Sequence, residues 1–110
     1  MIEFLLHREV KGNEYLALYE ILKLPVTKSR IGFFEIPIVE LHEPFAERWY
    51  SEVVDSYEDA FWDTDRVNEE MARLQQIDWL EAKQAAVLRQ TLGSLLPILE
   101  QPSCWVHVHR

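Results

Sequence analysis

Two histidines one residue apart, His107-x-His109, form the only local pattern with metal-ligand character in this 110-residue chain. In an extended strand alternate residues share a face, so both imidazoles would point the same way. His7 falls in a second strand-like stretch and could add a third nitrogen. A small metal-dependent enzyme using His7, His107 and His109 is therefore one expectation. Cys104 has the opposite parity and would face away. The plainer reading makes both histidines solvated residues of a terminal strand.

Other catalytic chemistry lacks its parts. Gly12, Gly32 and Gly93 cannot supply a dinucleotide fingerprint or a phosphate-cradling loop. A single cysteine excludes cysteine-rich zinc motifs, and the absence of histidine between His42 and His107 excludes helical Glu-x-x-His and His-Glu-x-x-His sites. Asp63-x-Asp65 opens like a calcium loop, but Asn68 stands where the turn needs glycine and Leu74 where it needs a bidentate glutamate. There is no Gly-x-Ser-x-Gly elbow. Carboxylates are plentiful, yet catalysis needs a cleft and a perturbed pKa, which helix-face acids lack. No catalytic residue, metal or cofactor is assigned, and a non-catalytic protein is expected.

The acids are concentrated. Residues 43–81 hold twelve Asp and Glu against three Arg, a net of −9, while the rest of the chain has a net of +1. Seven of the thirteen aromatic residues lie in the same stretch. The expected partner surface is Glu47, Glu52, Asp55, Glu58 and Asp59 with Trp62 and Trp79. These tryptophans fall off the main apolar faces and would act as aromatic anchors within an acidic rim. The alternative places both indoles in seams between helices. Lys23, Lys28 and Arg30 read as a small basic loop, more simply solvated than anion-binding.

The elements that must position these residues follow from periodicity. Ile2, Phe4 and Leu6 alternate with Glu3, His7 and Glu9 as a strand. Lys11–Glu14 is a turn, and residues 15–24 fit helix and strand equally. Residues 31–41 are rich in β-formers, with Pro37 predicting an edge strand or a break. Trp105, Val106 and Val108 suggest a last strand able to pair with an N-terminal one. Pro44 suits the first position of a helix. At about 100° per residue, Phe45, Ala46, Trp49, Tyr50, Val53, Val54, Tyr57, Ala60 and Phe61 fill one half of that helix and the acids the other, with Trp62 on the acidic side if the helix reaches it. A second helix is predicted over 65–77, capped from Asp63-Thr64-Asp65, with Val67, Met71 and Leu74 as its stripe. A third follows an Asp78–Glu81 capping box, carrying Leu80, Leu88, Leu92, Leu95, Leu96 and Leu99, with Pro97 kinking or ending it.

The expected fold class is α+β in one domain spanning residues 1–110, a small antiparallel sheet from the two ends around a central block of about three helices. The composition, 48% hydrophobic and 27% charged, is that of a globular chain. The net charge of −8 argues against direct contact with nucleic acid or anionic membranes and favours cationic partners. One cysteine, no leader-like start and no membrane-length apolar run predict a cytoplasmic protein. In size and charge alone the chain is similar to immunity proteins of bacterial toxins and to phage inhibitors of host defence. The leading expectation is a binding module or inhibitor that engages a basic protein surface, such as the nucleic-acid groove of a nuclease. A structural or assembly subunit, including a homo-oligomer joined through the leucine face of the third helix, is the alternative.

Overall fold

The computed structural model describes residues 1–8, 27–31, 34–54, 60–101 and 104–109, with the backbone alone at 7–8, 27–31, 34–37 and 60. The fold is α+β. The elements run β1 (Ile2–Arg8), β2 (Thr27–Ile31), β3 (Phe34–Leu41), α1 (Pro44–Trp49) continuing into a π-helical turn (Tyr50–Val54), β4 (Ala60–Trp62), α2 (Thr64–Arg73) closing in a 3-10 turn (Leu74–Gln76), α3 (Ala82–Leu99) and β5 (Cys104–His109). The strands form one antiparallel sheet in the order β2-β3-β1-β5-β4. The two ends do meet, as expected: β1 pairs with β5 from Glu3↔His109 to Arg8↔Cys104. Among the described residues no helix is long and apolar enough to cross a membrane.

Strand alternation builds the core. Ile2, Phe4 and Leu6 of β1, Val39 and Leu41 of β3, Val106 and Val108 of β5 and Trp62 of β4 project to one face and are buried. Against them pack Ala46, Trp49, Tyr50 and Val54 from the first helix, Val67 and Leu74 from α2, and Leu88, Leu92, Leu95 and Ile98 from α3. Each large aliphatic side chain removed from water in this way contributes about 1.5–3 kcal/mol. The leucine face of α3 is thus largely absorbed by the core of its own chain. Leu5 and Ile38, opposite one another in the register, make a separate buried pair on the other face.

Four expectations are corrected. The first helix does not run to Phe61, because residues 60–62 pair with β5 through Ala60↔Val108, Phe61↔His107 and Trp62↔Val106. Lys28 and Arg30, read as part of a basic loop, belong to the strand Thr27–Ile31, which places Lys28 opposite Pro37 and Arg30 opposite Glu35. Pro37 lies within an interior strand, yet it sits just beyond Leu5↔Ile38, the last pair of the β1–β3 ladder, where its missing N–H breaks no pairing with β1. Of the two outcomes expected at Pro97, a kink or an end, the end at that residue is corrected, for α3 continues to Leu99. Pro97 forgoes the hydrogen bond to the Gly93 carbonyl, two residues before the helix ends.

Helix starts are set by side chains. Asp63 caps α2 by accepting a 2.8 Å hydrogen bond from the Arg66 backbone N–H. The cap of α3 is Glu81 and not Asp78: Gln84 Oε1 accepts from the Glu81 N–H at 3.1 Å, while Ile77 is extended and Asp78–Trp79 form a turn. The predicted turn at 11–14, the ambiguous stretch 15–24 and Lys23 lie outside the described residues.

Candidate functional site

The acidic, tryptophan-bearing surface divides into parts that meet and parts that do not. Trp62 is 1% exposed. Its indole packs edge-on against Phe4, with ring centroids 6.0 Å apart, and the Arg66 guanidinium lies 5.1 Å from its centroid. It is a core residue, and the expectation that it anchors a partner is corrected. Phe61 reverses the other way. The helical wheel put it in the apolar half, but it is 71% exposed. In a strand, neighbours point to opposite faces, so the change from helix to strand exchanges the two side chains. Asp55, Glu58 and Asp59 lie outside the described residues.

Trp79 remains at the surface, half-buried in the turn between the 3-10 turn and α3, with its inner side against the core. It forms a wall shared by two clefts. One, of about 420 Å³, is lined by Glu52, Val53, Arg73, Gln76, Ile77 and Asp78. The other, of about 350 Å³, is lined by Pro44, Phe45, Arg48, Glu81 and Gln84. Helix α1 brings Arg48 over the indole, its Cζ 4.2 Å from the ring centroid. Glu52, one turn on, accepts from Arg48 Nε, with 3.2 Å to each carboxylate oxygen. Glu47 lines neither cleft and pairs with the α-amino group of Met1. The site at Trp79 therefore joins Glu52 with Asp78 and Glu81 and leaves Glu47 aside.

Sequence reasoning missed the cations of this site. Arg48 and Glu52 are four residues apart on one helix, a readable ion-pair spacing. Nothing local indicated that their pair would close over Trp79. It also missed Glu70, a fully buried carboxylate. Arg66 Nε lies 3.1 Å and Arg73 Nη1 3.3 Å from its Oε1. Burial pushes its pKa up, and Glu69 adds to this, while the charges of Arg73 and Arg66 pull it down without reversing the direction. The signal was present: Glu70 is three residues past Val67 and four before Leu74, on the stripe that faces the core. Because Arg73 also meets Glu69, at 3.7 Å, its charge is balanced within α2.

The histidines occupy the other face of the sheet. His107 and His109 stand side by side, centroids 5.7 Å apart, as the strand reading requires. The His107 ring stacks on Phe61 at 4.9 Å, and His109 Nε2 lies 3.4 Å from Glu3 Oε2. The register sets His7 opposite Trp105. Glu3 and Glu40 are directly opposed across β1 and β3, a repulsive pairing, and each has a histidine nearby: His109 for Glu3 and His42, at 2.7 Å, for Glu40. Among the described residues no group of three or more His, Cys, Asp or Glu is disposed to hold a metal ion.

No family model, curated protein or solved structure matches this chain.

Proposed function

We propose that this chain is a non-catalytic binding protein that engages a basic protein surface through the face centred on Trp79. The observation that carries the reading is the half-buried indole between two clefts whose rims bear Glu52, Asp78 and Glu81. A rigid aromatic at a concave, acid-rimmed surface has the character of an interface anchor. With Arg73 balanced by Glu69 and Glu70, Arg48 is, among the described residues, the cation left facing those three carboxylates in the clefts. The same logic extends to a partner that binds nucleic acid, whose groove is built to accept phosphates. It also fits an inhibitor or immunity-type role in the cytoplasm, a setting suggested by the lone Cys104. Complementary charge would speed encounter, and Trp79 would slow release.

The test is capture with the intact chain from its native host, followed by binding measurements with the recovered partner. The reading requires association that weakens steeply between low and physiological salt and a Trp79→Ala variant that no longer captures the partner. Salt-independent capture that survives Trp79→Ala defeats it.

A second reading, an assembly subunit, is favoured by Phe61. This exposed aromatic lies on β4, at one edge of the described sheet. An edge strand offers unpaired backbone groups to another chain. Size-exclusion chromatography with light scattering separates the two: a stable homo-oligomer lost on Phe61→Ser supports assembly, and a monomer at all accessible concentrations removes it.

A further inference from the structure

We propose that the Trp79 face is a receptor for an arginine side chain of the partner, and that Arg48 occupies this receptor in the free protein. The inference rests on the binding reading above and names the group recognised. The Arg48 guanidinium already makes both contacts that such a site would offer: a position over the indole, 4.2 Å from its centroid, and an Nε–H shared between the two oxygens of Glu52, 3.2 Å to each. A planar, delocalised cation can lie over the ring while an in-plane N–H reaches a carboxylate, whereas an ammonium is a hydrated point charge. This selects arginine over lysine.

The resident contact is built to be exchanged. Arg48 and Glu52 are 53% and 52% exposed, so their attraction is screened by water and weak. The two clefts leave room beside the indole on either side, and Asp78 and Glu81 at their rims add attraction for a second cation. An arginine arriving on a partner covers the site, removes water and strengthens the same stacking and ion-pair contacts. Arg48 then swings out on its flexible stem, without any change in α1. In the free chain it shields Trp79 and gives the face a lower affinity for stray cations.

The experiment titrates the full chain with a capped tetra-arginine peptide, its tetra-lysine counterpart and its neutral tetra-citrulline counterpart. The reporter is the Trp79 indole N–H resonance, identified by its loss in Trp79→Phe. The arginine peptide should move that resonance and the citrulline peptide should not. Arg48→Gln, which removes the resident cation, should bind the arginine peptide about five-fold tighter. Arg48→Lys, which keeps the charge but loses the planar stack, should gain less. Glu52→Gln should bind about five-fold weaker. Thermal melts of each variant establish that the fold is retained. If the arginine peptide binds in a salt-dependent way but leaves the Trp79 resonance unmoved, or if neither Arg48 variant binds tighter, the receptor falls while the acidic-face reading stands. If the peptide occupies Trp79 as described but the captured partner binds equally well to Trp79→Ala, the receptor stands and the partner reading falls. If no cationic peptide binds, both fall.

Discussion

Arg66 Nε reaches to 3.1 Å from Oε1 of Glu70, one turn further along α2, at a carboxylate that is 0% exposed. Arg73 Nη1 approaches the same oxygen at 3.3 Å. Among the described residues neither Glu70 oxygen has an aligned hydrogen bond, nor does Arg66 Nε. The carboxylate is paired by charge but not fully satisfied, which leaves much of the cost of its burial uncompensated.

That cost is pH-dependent. Burial raises the Glu70 pKa above its ordinary value of 4.5, so the folded chain holds the proton more tightly than the unfolded chain does. The penalty is absent below the ordinary value, grows as pH rises through the raised one, and is full above it. Glu70→Gln, which cannot ionise, should therefore gain on the parent in melting temperature as pH rises from about 4 to about 8. Calorimetry across that range checks this. A difference between the two chains that stays constant with pH would contradict it.

Trp62 should matter for stability and not for binding. Trp62→Ala should cost about 3–5 kcal/mol, the range for deleting a buried large aromatic. Trp62→Phe should cost far less than Trp62→Ala, because the buried indole N–H has no hydrogen-bond acceptor among the described residues and losing it breaks no bond. Urea unfolding of both variants gives the comparison, and equal losses would show that the N–H is satisfied after all.

Trp79 should matter for binding as well as for stability. Its outer side faces the clefts, so Trp79→Ala should lower partner affinity by about 2 kcal/mol or more. Calorimetric titration with the captured partner measures the first effect and urea unfolding the accompanying loss of stability. A variant with unchanged affinity and a core-sized loss of stability would place Trp79 with Trp62, as packing alone.

Asp63 closes the start of α2 through one backbone hydrogen bond. Asp63→Ala should destabilise the fold by about 1 kcal/mol, and Asp63→Asn by much less, since the amide oxygen can accept the same bond. Denaturant midpoints at constant slope provide the measure.

The strands at the two ends are legible because Ile2, Phe4 and Leu6 recur at every second residue, if only loosely with Leu5 between them, and α2 because Asp63 and the Val67–Leu74 stripe mark both its start and its buried side. The stretch Ala60–Trp62 is not, because three residues are too few to distinguish a period of two from a helical turn. What decides it is Val106 and Val108, more than forty residues away, whose register recruits it as β4. The same error carried Trp62 into the expected site. Trp79 was singled out for falling off a helical face, and it remains at the surface because it lies in a turn outside any helix. Its partnership with Arg48 is tertiary, and no local pattern encodes it.

The pairing of β1 with β5 sets a schedule for synthesis. A ribosome makes β1 first and β5 after every other described element, yet these strands are neighbours in the interior of the sheet. Until β5 emerges, Phe4 and Leu6 lack Val108 and Val106, the residues opposite them, and Trp62 has no strand to lie on. The growing chain therefore carries Phe4, Leu6 and Trp62 without their β5 neighbours until that strand is made, and the sheet closes in a late step across a long sequence separation. In that interval the dense negative charge of residues 43–81 has a use independent of any partner: mutual repulsion keeps unfinished copies apart.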